Sequence, residues 1–165
     1  MLSQAFIQEL EQETVATRRL LERLPADRLD WRPHPKSMSL GQLALHVAEG
    51  PASVAEIAKV DEAPLPNFGQ ESATSPEHAV EALEESTKKA KEILAGFDDD
   101  SMAATWRVVH EGNEVMAMPR VGLIRSILLN HWYHHRGQLT VYLRLLDVPL
   151  PSVYGPSADE NPFAQ

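Results

Sequence analysis

The stretch VGLIRSILLNHWYHHRGQLTVYLRL, residues 121–145, decides the fold because it carries one continuous helical pattern. Its seam positions alternate by three and four residues, which is typical of the buried side of a helix in a bundle. The seam consists of Val121, Ile124, Leu128, His131, His135, Gln138, Tyr142 and Leu145. The seam is apolar at both ends and polar in the middle, so the middle requires an explanation of its own.

The polar middle of the seam predicts a divalent-metal site. A buried polar group without a partner costs on the order of 1–3 kcal/mol. His131 and His135 are separated by four residues, and side chains at this spacing lie on one helix face with Cβ atoms about 6 Å apart. Two imidazoles so placed can bind one ion at metal–nitrogen distances of about 2.0–2.1 Å. A further ligand should come from another helix.

His46 is the best candidate for that further ligand. It lies in LGQLALHVAE, residues 40–49, beside the apolar side of a predicted helix. The competing interpretation is that a single histidine on an apolar face is hydrogen-bonded in the core, and that the histidines bind one another rather than a metal. His134 is the main rival ligand because it pairs with His131 at i, i+3, although it points about 100° away from His135.

The remaining histidines are weaker candidates. His34 falls in a predicted loop, His110 in a predicted strand, and His78 near the exposed start of a helix. The acidic run 98–100 follows a helix end, where carboxylates are usually solvated. Arg136 has two open interpretations, an anionic-substrate contact or a surface ion pair.

Three imidazoles leave at least one coordination position open, which favours catalysis over a structural site. Glu49 lies one turn after His46 and is predicted to act as an acid or base. Gln138 lies one turn after His135 and is predicted to orient a ligand or the substrate.

Three other helices are expected around this one. The first runs from Ser3, its N-cap, to Leu24. The second begins after Ser37 or Ser39 and ends near Val60, with a kink or break at Gly50–Pro51. The third begins at Ser75–Pro76 and ends at Ala95. The last spans Pro119 to Leu146. Before it, residues 105–118, TWRVVHEGNEVMAM, are expected to form a β-hairpin that turns at Gly112–Asn113. The prediction is one all-α domain over residues 1–165 with a small β-hairpin insertion.

Composition restricts the function classes. The 165 residues include 24 acidic and 15 basic side chains, a formal net charge of -9, which disfavours nucleic-acid binding. There is no cysteine, so a thiolate metal site and a cysteine nucleophile are excluded. The sequence shows neither a signal-peptide pattern nor an apolar run of about 20 residues. A cytoplasmic location without membrane contact is therefore expected.

The stretch NHWYHHRGQLTVYLRLLDVPLPSVYG, residues 130–155, together with SMSLGQLALHVAE and LDWRPHP, resembles the DinB/YfiT-like superfamily of metal-dependent enzymes. The resemblance covers nearly the whole chain. It implies an up-down-down-up four-helix bundle, often a homodimer. It also implies three histidine ligands, which fall on His46, His131 and His135, with nickel or zinc as the usual ion.

Relatives in that superfamily include thiol-dependent transferases and isomerases that use low-molecular-weight thiols such as bacillithiol or mycothiol. The resemblance therefore implies a metal-dependent, thiol-dependent transferase that acts on a small molecule. Two alternatives stay open, a metal-dependent hydrolase of a small molecule and a non-catalytic metal-binding stress-response protein.

Overall fold

A computed structural model describes residues 1–65 and 71–164 of the chain. They are mostly helical, with one small three-stranded sheet. The helices are α1 (Leu2–Leu21), α2 (Leu40–Ile57), α3 (Pro76–Ala95), α4 (Asp99–Ala103), α5 (Arg120–Leu123) and α6 (His131–Leu145), with a π-helical segment (Ile124–Asn130) between the last two. The strands are β1 (Glu62–Pro64), β2 (Thr105–His110) and β3 (Asn113–Pro119). Over these ranges, none of the helices has the length and hydropathy to cross a membrane.

The four long helices pack through their apolar sides. Both α1 and α2 contact α3, and both contact α6. The apolar side chains between them form one cluster, whose fully buried members include Leu10, Leu20, Leu43, Leu83, Leu94 and Leu139. Burying a leucine side chain is worth about 1.5–3 kcal/mol relative to leaving it exposed, so this cluster supplies the main driving force for the helix arrangement.

Helix starts follow the predicted caps in two cases and differ in one. Ser39, not Ser37, caps α2 through a reciprocal pair of hydrogen bonds with Gln42. Ser75 Oγ accepts from the backbone N–H of His78, 3.1 Å away, and Pro76 is the first residue of α3. The predicted Ser3 cap of α1 is wrong, because the helix begins at Leu2, whose N–H donates to Asp99 Oδ1 at 2.7 Å.

Helix α1 also ends at Leu21, before the predicted Leu24, and α2 ends at Ile57 rather than near Val60.

Pro51 lies inside α2, and the helix continues through it as one element. Of the two predicted outcomes, a kink or a break, the break is therefore wrong. Proline has no N–H, so the carbonyl of Val47, four residues earlier, lacks its helical donor. The indole N–H of Trp132 on α6 donates to this carbonyl at 2.8 Å. The next N–H, that of Ala52, donates to Ser86 Oγ on α3 at 2.9 Å. The carbonyl that the proline leaves without a helical donor thus binds α6, and the backbone N–H that follows the proline binds α3.

The small sheet has the strand order β1-β2-β3, with β1 parallel and β3 antiparallel to β2. Strand β1 was not predicted, because it is three residues long and lies in a proline-containing stretch that indicates a loop. The turn between β2 and β3 is centred on Glu111 and Gly112, with φ of 49° and 78°, one residue earlier than predicted. Positive φ at both central residues is typical of a type I′ turn.

The predicted single helix over 119–146 contains the π-helical segment at Ile124–Asn130. A π turn accommodates more residues than an α turn, and each residue rotates the helix face by about 100°. After the segment the buried side chains are Trp132, Arg136, Leu139 and Leu143. The predicted buried seam is therefore wrong in its second half: Leu145 is 58% exposed, and the two histidines of the seam are only partly buried.

The replacement Trp132→Phe tests the hydrogen bond from Trp132 to the Val47 carbonyl. It leaves the Val47 carbonyl without a donor, so we expect the free energy of unfolding to fall by about 2 kcal/mol. In a Pro51→Ala background the new N–H supplies that donor, and the loss should be smaller by about 1 kcal/mol. Urea unfolding of the four proteins of this cycle measures the coupling.

The matched control for this cycle is Trp106→Phe. The Trp106 indole N–H donates to the Ile57 carbonyl, 3.0 Å away at the end of α2. The loss of unfolding free energy in Trp106→Phe should therefore be the same with Pro51 and with Pro51→Ala. Equal costs for Trp132→Phe in both backgrounds would contradict the proposed role of the proline.

Candidate metal centre

A cavity of about 430 Å³ lies between α2 and the helical stretch formed by the π segment and α6. Part of its wall is apolar, with Leu45, Val54 and Ile57 from α2 and Ile127, Leu128 and Trp132 from the opposite side. Its polar side chains are Gln42, His46, Glu49, Ser53, Glu71, His131 and His135. A cavity of this size, mostly apolar with a few convergent polar groups, is typical of a small-molecule site.

The three predicted ligands His46, His131 and His135 meet at this wall. One ring nitrogen from each lies within 4.8 Å of the others. The Nε2 atoms of His131 and His135 are 2.9 Å apart. Two nitrogens bound to one ion at about 2.0–2.1 Å lie about 2.9–3.4 Å apart, depending on the coordination angle. The distance in the α6 pair fits one shared ion and fits equally a hydrogen bond between the two rings; the three-histidine cluster could hold a divalent metal.

Gln138 fixes the orientation of His135. The Nδ1 atom of His135 is 2.7 Å from Gln138 Oε1, and an amide oxygen only accepts hydrogen bonds. Nδ1 therefore carries the proton, and the lone pair resides on Nε2, the atom that faces His131. Metal-bound histidines commonly donate their other ring N–H in this way. Gln138 is not among the residues that line the cavity, and its side chain contacts the predicted ligand His135.

Burial keeps the three imidazoles neutral. It lowers the pKa of His46, with a further contribution from His131, and it lowers the pKa of His131, with a further contribution from His134. For His135, burial lowers the pKa to about 4, although the hydrogen bond to Gln138 opposes the shift. Only the neutral imidazole binds a metal, so the cluster is in its ligand form at neutral pH.

Glu49 lies on the cavity wall one turn after His46, as its predicted role as an acid or base requires. Burial raises the pKa of its carboxyl group, and the negative charge of Glu71 raises it further, while His78 opposes the change. A raised pKa makes the carboxylate of Glu49 a stronger proton acceptor than an ordinary glutamate.

Glu71 was missed by the sequence analysis. It lies in the connection between β1 and α3, and no residue pattern there indicates that this connection passes the cavity. Only the path of the folded chain brings it beside Glu49.

Neighbours of the ligands hold the two helices in register. Trp132 follows His131, and its hydrogen-bond acceptor, Val47, follows His46.

Arg136 follows His135 but faces α1: it is 2% exposed and forms an ion pair with Glu13 at 2.6 Å. The ion pair expected for Arg136 is therefore present, but it is buried rather than on the surface. Arg136 does not line the cavity, so the structure gives no support to the substrate contact.

The other candidates lie outside the cluster. His134, the rival ligand, is exposed, as are His34 and His110. Asp98 accepts from the backbone N–H of Ser101 at 2.7 Å and so caps α4. Within residues 1–65 and 71–164, the three-histidine group is the only set of side chains found with metal-binding geometry.

The family model of the DinB family matches residues 1–162. The chain is 27% identical over 161 residues to the uncharacterized protein YrdA of Bacillus subtilis, covering 94% of this chain and 89% of that protein.

Two crystal structures show the same fold. A DinB-like protein from Bacillus cereus superposes with a TM-score of 0.72 at 22% identity, covering 92% of this chain and 97% of that one. The DinB-like protein YjoA from Bacillus subtilis superposes with a TM-score of 0.68 at 19% identity, covering 90% and 96%. Since the family model spans nearly the whole sequence, the chain belongs to the DinB family.

Proposed function

We propose that this chain is a metal-dependent enzyme that binds a divalent ion, nickel or zinc, through His46, His131 and His135. The observation that carries the proposal is the convergence of three neutral imidazoles on the wall of a 430 Å³ cavity. Three protein ligands leave room for a water or substrate atom in the coordination sphere, and the cavity gives a small molecule access to that position.

The proposed reaction is transfer involving a low-molecular-weight thiol. The bound ion would lower the pKa of a coordinated thiol or water and so supply a nucleophile near neutral pH. Glu49 is the residue of the wall suited to take up the proton that such a group releases. The chain has no cysteine, so any reacting thiol must enter as a co-substrate.

The thiol requirement separates transfer from hydrolysis. Metal-loaded protein is incubated with a panel of small electrophiles, with and without 2-mercaptoethanol, and products are followed by mass spectrometry. Adducts that form only when thiol is present support transfer. Cleavage products that form equally without thiol support the hydrolase instead, and no turnover of metal-loaded protein supports a non-catalytic metal-binding role.

The proposal also includes the architecture of the chain. We propose one domain over residues 1–165, built as an up-down-down-up four-helix bundle and assembled as a homodimer. The contacts of α1 and α2 with both α3 and α6 support the bundle. The dimer is supported by the family resemblance.

Alanine replacement of each proposed ligand tests the metal site. His46→Ala, His131→Ala and His135→Ala should each weaken binding of nickel or zinc by at least about 100-fold, since loss of a ligand costs more than loss of its supporting hydrogen bond. Isothermal titration of chelator-stripped protein measures the affinity. His134→Ala is the control, because this exposed neighbour should leave binding unchanged. Unaltered affinity in the three ligand variants would refute the site.

Gln138 should act on the metal only through His135. Gln138→Ala removes the acceptor of the Nδ1 proton, and we expect metal affinity to fall about 10- to 100-fold. Gln138→Glu keeps an acceptor oxygen and should restore most of the affinity. A loss of equal size in both variants would instead indicate that the amide group itself is needed.

A further inference from the structure

Among the residues that the structure describes, the cavity wall carries negative charge and no fixed positive charge. Glu49 and Glu71 are its acidic side chains, and the described part of the wall contains neither lysine nor arginine. The only internal stretch outside the description, residues 66–70, reads Pro-Asn-Phe-Gly-Gln and is uncharged. Arg136 and Arg120, the buried arginines, are paired elsewhere, with Glu13 and Asp61 respectively.

Glu71 is placed at the cavity by backbone contacts. Two residues later, the N–H of Ala73 donates to the carbonyl of Gly41 in the first turn of α2, at 3.1 Å. Gly41 allows this approach, because a Cβ atom there would overlap Ser72 Oγ and crowd the Ala73 carbonyl. The connection before α3 therefore lies against α2, and its glutamate lies on the same wall as Glu49.

Two like charges on one wall are unfavourable unless something else compensates them. Both glutamates line the cavity, and the negative charge of Glu71 raises the pKa of the Glu49 carboxyl group. A metal ion at the histidines would attract the coordinating atom of a ligand, but the part of the ligand beyond that atom would face the glutamates. Both glutamates are exposed to solvent, so their attraction for a ligand cation acts at short range and weakens as salt is added.

We propose that the cavity selects cationic co-substrates: a ligand binds the metal through one atom and presents an ammonium or similar cation to Glu49 and Glu71. Molecules that present a phosphate or carboxylate at that position are repelled. The inference rests on the proposed function, because it concerns ligands of the same metal site. It adds the sign of the charge that a substrate of this site should carry.

Three thiols of matched length test the proposal. Cysteamine, 2-mercaptoethanol and 3-mercaptopropionate share the HS–CH₂–CH₂ unit and end in a cation, a neutral hydroxyl and an anion. Each is titrated into protein loaded with nickel at pH 7.5 and low ionic strength. Binding is followed by thiolate-to-metal charge-transfer absorption, which does not depend on turnover.

We expect cysteamine to bind at least about 10-fold more tightly than 3-mercaptopropionate, with the difference decreasing as salt is added. Glu49→Gln and Glu71→Gln should each reduce that ratio about 3-fold or more, and the double variant should reduce it further. Comparing ratios between variants cancels the differences in acidity among the thiols. Glu85→Gln, which removes the same charge from an exposed residue of α3 outside the wall, should leave the ratio unchanged.

A ratio that is the same in the wild type and in both glutamine variants would overturn the charge-selection proposal, while the metal site itself would stand. Protein that binds no metal, or metal-loaded protein that binds none of the three thiols, would overturn the proposed function and this inference with it. Metal stoichiometry measured before each titration separates these results.

Discussion

The hydrogen bond between the Trp132 indole and the Val47 carbonyl determines how α2 and α6 meet. It exists because Pro51 cannot supply the donor that a helical carbonyl normally receives, and a buried carbonyl without a donor is costly. The donor comes from the helix that also carries two of the three clustered histidines. Since each bonded residue directly follows a histidine, the contact sets the distance between His46 and His131 as well as the packing of the helices.

A second constraint acts on the other side of α6. The guanidinium group of Arg136 is bound by Glu13 and Thr17 of α1, and Tyr154 from the C-terminal segment bonds both the guanidinium and Glu13. A buried charge is tolerated only when its partners are complete. Neighbouring residues of α6 therefore contact different helices: Arg136 binds α1, whereas His135 faces His46 on α2.

The cluster of histidines was predictable because the sequence patterns that indicate it each lie within a single helix. The i, i+4 spacing of His131 and His135 and the helical context of His46 are visible in the sequence, and the structure brings all three together. Ser39 and Ser75 were predictable as caps for the same reason. What sequence reasoning missed depends on the folded path: Glu71 reaches the cavity through a loop, and Arg136 finds its acid on a helix more than a hundred residues earlier.

The predicted seam failed for a different reason. It assumed a constant helical period from Val121 to Leu145, and the residue pattern contains nothing that reveals a change of period at Ile124–Asn130. Apolar residues are so frequent in this stretch that several registers fit equally well. The histidines were still identified, because their mutual spacing lies entirely after the irregular segment.

The π-helical segment has an evolutionary consequence. A wide turn of this kind differs from regular helix by a single residue, so one codon gained or lost there would rotate everything downstream by about 100°. His131 and His135 would then turn away from His46 while every amino acid of the cluster remained in the gene. An intact histidine cluster thus depends on the length of this segment as well as on the histidines themselves.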